Sequence, residues 1–142
     1  MNKSISFVFL IVLITIIAGC DNSFNSPNEV QVNFNDLYST FGKGSPYSEI
    51  QKENIYSTKY KDKLIKTSIR ADKINKASLS SQYVVLEMRD QFSCIAKAFF
   101  SSEEKDKLLN KNIGSEITFV GKMTTYKFGF AKCITFEDSE II

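Results

Sequence analysis

The sequence predicts a mostly β chain with added helices, built around a five-stranded Greek-key barrel that holds one helix between its third and fourth strands. Two observations carry this expectation: the hydrophobic pattern switches to a period of two after Lys63, and a single helix start interrupts the alternating stretches after the third of them. The third is size. Once a leader is set aside, roughly 120 residues remain, enough for one compact core and too few for two.

The leader is residues 1–19. Asn2 and Lys3 open an apolar stretch from Ile5 to Ile17 of about a dozen residues, which runs into Ile17-Ala18-Gly19-Cys20. A lone cation, a short apolar segment and small residues before a cleavage point make a secretory signal peptide. The stretch falls short of the roughly 20 residues that a membrane-spanning helix needs. An ordinary signal peptide or a signal anchor that happens to precede a cysteine is the alternative. Residues 20–29 then form a tether, because Asp21 to Asn28 is polar, rich in Asn and Ser, and contains Pro27.

Residues 30–59 read as an N-terminal helical segment. Val32, Phe34, Leu37, Tyr38 and Phe41 suit a helix over Val30 to Phe41 that stops before Gly42-Lys43-Gly44. Ser45-Pro46 opens a second helical pattern, with Pro at its first position and Tyr47, Ile50 and Ile55 as an uneven apolar stripe.

Residues 60–142 read as the barrel domain. In Leu64 to Ile74, Ile65, Thr67, Ile69 and Ala71 alternate with Lys66, Ser68 and Arg70, which describes a strand with one wet face. A second strand runs from Gln82 to Met88, and Arg89-Asp90-Gln91 turns the chain. The third runs from Phe92 to Phe100, with Cys94, Ala96 and Ala98 facing away from Ile95, Lys97 and Phe99. Ser101 and Glu104 have the spacing of a capping box, and Leu108 and Leu109 give the short helix its apolar side. Glu116 to Thr125 is a fourth strand, alternating Ile117, Phe119 and Gly121 with Thr118, Val120 and Lys122. Phe128-Gly129 turns into a fifth, Phe130 to Phe136. Three strands, a helix and two strands is the chain order of the OB-fold. An open α+β sandwich with the same order is the competing class.

Two resemblances add to this reading. The run Ile17-Ala18-Gly19-Cys20 resembles the lipobox of bacterial lipoproteins, which implies a diacylglyceryl group on the Cys20 thiol, cleavage before Cys20 and a mature chain held on a membrane by its lipid. In Gram-negative lipoproteins an aspartate after the lipidated cysteine goes with retention in the inner membrane, so Asp21 implies a lipid-anchored protein on the periplasmic side of that membrane. The stretch Tyr60 to Lys66, the Cys94 strand, the step from Leu108-Leu109 to Gly114, the run Ile117 to Lys122 and the late Cys133 are similar to the tRNA-anti-like OB-fold family. That family occurs in exported proteins and implies a fold far more than an activity.

Composition limits the chemistry. Basic and acidic residues nearly balance, 18 against 16, and histidine is absent, which removes the commonest general base and the imidazole metal ligand. Gly42-Lys43-Gly44-Ser45 lacks the spacing of a phosphate loop, and Glu103-Glu104 and Glu137-Asp138 are explained by a helix first turn and an exposed tail. The sequence thus points to a non-enzymatic protein without cofactor or metal. Cys94 and Cys133 remain after lipidation, and an even count in an exported protein favours a disulfide, two buried thiols being the alternative.

The wet face of the first three strands would present Lys66, Arg70, Tyr83, Lys97 and Phe99, a mixture of cations and aromatics that OB-folds use to bind oligonucleotides and oligosaccharides. An ordinary solvated face is the simpler account. Glu87 among the cations and a compartment poor in nucleic acid argue against a nucleic-acid partner, and for an envelope protein or glycan beside the membrane itself. The expected function is a membrane-anchored extracytoplasmic lipoprotein acting as a non-catalytic binding or interaction module. The alternative is a phage or mobile-element lipoprotein that excludes superinfection.

Overall fold

The structure, a computed structural model, describes residues 28–76, 83–91, 93–127 and 132–142. The expected leader, the lipidation at Cys20 and most of the tether lie outside the described residues, as do Phe92 and the start of the expected fifth strand.

The chain enters the fold as a short strand rather than a helix. β1 (Glu29–Gln31) runs parallel to β2 (Leu64–Arg70), with Val30 opposite Ile65. The helix expected from Val30 begins only at α1 (Phe34–Phe41), because the Asn33 side chain caps it by accepting from the Asn35 N–H at 2.8 Å. Phe34, Leu37 and Phe41, at helical spacing, are buried in the same core as the sheet. The second helix, α2 (Glu49–Lys59), is capped by Ser48 and not by Pro46. Ser48 and Gln51 form the reciprocal capping box, with Gln51 Oε1 accepting from the Ser48 N–H at 2.9 Å.

The remaining elements are β3 (Lys73–Lys76), β4 (Tyr83–Arg89), β5 (Cys94–Ser101), a 3₁₀ turn at Ser102–Glu104, α3 (Lys105–Leu109), β6 (Glu116–Thr125) and β7 (Ile134–Ile141). The capping box expected between Ser101 and Glu104 does not form. Glu104 instead accepts from Lys107 at 2.8 Å and from the Ile141 N–H at 3.0 Å, which ties the turn to β7. These donors hold its carboxyl below the usual range, the Lys107 hydrogen bond most of all.

The five-stranded closed barrel is not what forms. The strands make one seven-stranded mixed sheet in the order β1-β2-β6-β7-β5-β4-β3, and it does not close. Two physical causes are visible. The ribbon expected as one strand over Leu64 to Ile74 breaks after Arg70: the Ala71 N–H donates to Ser115 and its carbonyl accepts from Gly114, at 2.8 and 2.7 Å, while the Asp72 N–H turns to the Glu87 carbonyl at 2.9 Å. Its first half therefore stays with β6 and its second half goes to β4. The edge of β2 away from β6 is then taken by β1. The chain passes from α3 to β6 through Gly114, whose φ of +91° only glycine adopts readily.

The core sits on the inner face. Ile65, Thr67, Ile69 of β2, Ala96, Ala98, Phe100 of β5, Ile117, Phe119 of β6 and Ile134, Phe136 of β7 are buried, as the period of two requires. Phe119 lies edge-on between Phe100 and Phe136, with ring centroids 5.6 and 5.2 Å away. A second aromatic group, Phe41, Tyr56, Tyr60 and Tyr126, fastens both N-terminal helices to the end of β6. The Tyr56 hydroxyl donates to the Met123 carbonyl at 2.9 Å, and the Tyr126 hydroxyl donates to Glu53. Burial, then Glu53, pushes the Tyr126 phenol up to about 12.

Candidate functional site

A groove of about 530 Å³ opens between the outer face of β2 and β6 and the chain that enters α1. Its floor is Lys66, Ser68 and Arg70 of β2, beside Thr118 and Glu116 of β6. These outward positions follow from the alternation of β2, and the register sets Ser68 opposite Thr118 and Arg70 opposite Glu116. The two hydroxyls meet at 2.8 Å. Gln31, Asn33 and Asn35 form the other wall, and Met88 of β4 adds an apolar element.

The cations differ in how committed they are. Arg70 donates from Nε and Nη2 to the two oxygens of Asp72, at 2.6 and 3.0 Å, and Nη2 also reaches the Arg89 carbonyl at 3.3 Å. Asp72 further accepts from the Arg89 N–H at 2.8 Å. The Arg70 hydrogen bond holds the Asp72 carboxyl below its usual range against the opposing effect of burial, and the same contact raises the Arg70 guanidinium. Arg70 thus pins the break between β2 and β3. Lys66, by contrast, has no carboxylate within 4.0 Å among the described residues.

Sequence reasoning placed Lys66, Arg70, Tyr83, Lys97 and Phe99 on one face; β2, which carries the first two, is not a neighbour in the sheet of β4 or β5, which carry the others, and Arg70 reaches β4 through Asp72 and the Arg89 carbonyl. Lys66 and Arg70 line the groove, whereas Lys97 and Phe99 lie on β5, with β6 and β7 standing between β2 and β5. On that second face Lys97 stands opposite Glu87 of β4, 3.9 Å from its carboxylate, and Arg89 donates to the same Glu87 at 2.9 Å. Phe99 is half-buried opposite Val85. Tyr83 begins β4 opposite Ser101; its side chain lies outside the described residues. The groove residues that sequence reasoning missed are Gln31, Asn33, Asn35, Thr118 and Met88. Asn33 alone carried a local signal, as a cap ahead of Phe34.

Cys94 and Cys133 are joined by a disulfide with their Cα atoms 5.6 Å apart, linking the start of β5 to the residue before β7. Among the described residues no cluster of three or more Cys, Asp and Glu could hold a metal ion, and no helix is long and apolar enough to cross a membrane.

No protein-family model matches the chain, and no curated protein matches it either. The fold is similar to that of a lipoprotein from Klebsiella pneumoniae subsp. pneumoniae to which nucleic acid binding is attributed. The two are 16% identical, the match covers 80% of this chain and 92% of that one, and the TM-score is 0.54. A weaker likeness, with a TM-score of 0.38 and 14% identity, links 61% of this chain to 22% of the asparaginyl-tRNA synthetase of Entamoeba histolytica. The first likeness corrects one expectation. A protein of similar fold has nucleic acid binding attributed to it, so the argument against a nucleic-acid partner, drawn from compartment and Glu87 alone, does not stand. What the likeness shows for this chain is a fold shared with a bacterial lipoprotein.

Proposed function

We propose that the protein is a lipid-anchored, extracytoplasmic binding module without catalytic chemistry, held by Cys20 at the periplasmic side of the inner membrane. Its ligand site is the groove on β2 and β6, and the ligand is an envelope glycan. The groove's lining carries this reading: amides from Gln31, Asn33 and Asn35, hydroxyls from Ser68 and Thr118, and the uncommitted Lys66 all border it. Such a set supplies donors and acceptors for sugar hydroxyls, with Val32 and Met88 for the apolar faces of the rings. Catalysis has little to work with, since histidine is absent from the whole chain.

A second reading is favoured by the likeness to the Klebsiella lipoprotein: a single-stranded nucleic acid on the separate face of β4 and β5. Stacking needs a ring that reaches the surface; Phe99 is half-buried there, whereas Phe34 in the groove is only 6% exposed. Titration with soluble peptidoglycan fragments and with oligothymidylate separates the two. Lys66→Ala should weaken fragment binding about tenfold, the equivalent of one lost charged hydrogen bond. Phe99→Ala should weaken oligothymidylate by roughly five- to 100-fold, as loss of one stacked base implies. Fragment affinity indifferent to Lys66→Ala would sink the groove reading, and affinity for oligothymidylate that depends on Phe99 would establish the second.

A further inference from the structure

Lys59, Lys61 and Lys63 crowd the connection between α2 and β2, with Asp62 as the carboxylate among them. The chain turns sharply there, Asp62 having a φ of +61° and the Lys63 N–H donating to the Tyr60 carbonyl at 3.2 Å. Lys59 and Lys61 are exposed and Lys63 is half-exposed. None of the three has a carboxylate within 4.0 Å among the described residues, whereas Lys52, Lys107 and Lys122 each do.

β1 decides what stands next to this corner. The Leu64 N–H donates to the Asn28 carbonyl at 2.9 Å, and Glu29 lies opposite Leu64 in parallel register. The segment that arrives from Cys20 therefore joins the fold beside Lys63. Lys66, opposite Gln31, follows on the same strand, and the carboxylates around the corner are Asp62 and Glu29 in the adjoining chain, Asp36 near Tyr60, and Asp138, which is paired with Lys122 opposite Leu64.

We propose that this basic corner is a second membrane contact, docking the domain onto the anionic headgroups of the bilayer that holds its lipid. The inference rests on lipidation of Cys20. The eight residues 21–28 can bridge at most about 28 Å. The corner thus stays within roughly 3.5 Debye lengths of the headgroups at physiological salt, close enough for the tether to bring it into contact. Attraction of a basic residue to an anionic surface favours the contact by about fivefold per lysine. The other end of β2 is built differently: Arg70 is paired with Asp72, and the exposed Lys111 precedes the Gly114–Ser115 turn that bonds Ala71.

Lysine footprinting of the lipidated mature protein tests the proposal. The protein is placed in vesicles of phosphatidylcholine alone or mixed with phosphatidylglycerol, treated with an amine-acylating reagent and read residue by residue by mass spectrometry. In the anionic vesicles Lys59, Lys61 and Lys63 should react several-fold more slowly than in the neutral ones, with Lys111 unchanged. The protection should vanish in molar salt, where the Debye length falls to about 3 Å. Equal reactivity in both vesicles overturns the proposal. Flotation with phosphatidylcholine vesicles reads the anchor separately: protein that does not float refutes the lipidated Cys20 and the docking with it, and protein that floats without protection refutes the docking alone. Protection of the same lysines by oligothymidylate but not by vesicles would make the corner a nucleic-acid surface and end the lipid assignment.

Discussion

Gly121 is where a single atom decides whether two strands can meet. It sits in β6 at the irregularity between Val120 and Lys122, and a Cβ built there would stand 2.5 Å from Ser139 Oγ and 3.3 Å from the Glu137 carbonyl of β7. Gly121→Ala should therefore cost about 1–3 kcal/mol, the usual range for overpacking a well-filled core. Ser139 offers a control, because its hydroxyl is buried and has no hydrogen-bond partner among the described residues. Ser139→Ala removes the nearest obstructing atom together with an orphaned polar group, so in the Gly121→Ala background it should restore part of the loss. Urea unfolding of the two single variants and the double variant measures the coupling. Strict additivity would mean that the contact does not limit strand approach. At this scale the sequence was partly legible: it marked Gly121 as an inward strand position, but only the pairing with β7 shows why a side chain is excluded there.

Among the elements, those that bury one face were legible and those fixed by distant partners were not. β2 and β6 could be read from their alternation because inward Ile65, Ile69, Ile117 and Phe119 carry the core while Lys66, Ser68, Thr118 and Lys122 face out. β1 could not, since a three-residue parallel strand has no local pattern, and its Val30 falls at helical spacing from Phe34, Leu37 and Phe41. The same limit explains the misplaced capping box: Ser101 and Glu104 have the right spacing, but Glu104 is taken by Lys107 and by the Ile141 N–H of β7. One distant tie does have a sequence signal, the two cysteines. Their bridge spans 39 residues and joins neighbouring parallel strands β5 and β7, so it constrains the unfolded chain by roughly 4 kcal/mol in the chain-entropy account. Set against a typical domain stability of about 5–15 kcal/mol, that is a large share. Cys133→Ser should lower the melting temperature steeply and leave Cys94 reactive to maleimide after unfolding. A thiol count on the denatured, unreduced protein checks the premise: two free thiols besides Cys20 would exclude the bridge.

For the molecule as a whole, the strand order along the chain was readable and its closure was not, because closure depends on which partner each edge finds. From Ile65, apolar residues fall on odd positions up to Ala71 and on Ile74 after it, so the alternation is interrupted there, but nothing in it announces that Ala71 bonds the turn before β6 while Asp72 bonds β4. The groove shows the same division: its floor follows from the period of β2, but its second wall exists because Leu37 and Phe41 bury α1 against the sheet and bring Asn33 and Asn35 over Lys66. Where the molecule works depends on a separate part of the sequence. Under the proposed lipidation, Ile17-Ala18-Gly19-Cys20 would hold the protein on a membrane surface, and acyl chains at about 0.8 kcal/mol per buried methylene would make two or more chains a lasting anchor where one is marginal. Cys20→Ser should then leave a product without the acyl mass and without the processed N-terminus. In a Gram-negative host Asp21→Ser should move the lipidated protein from inner- to outer-membrane fractions on a sucrose gradient. An intact, unmodified Cys20 in the mass spectrum of the wild-type N-terminus would refute the anchor, whereas a lipidated protein whose fractionation ignores Asp21→Ser would refute only the sorting.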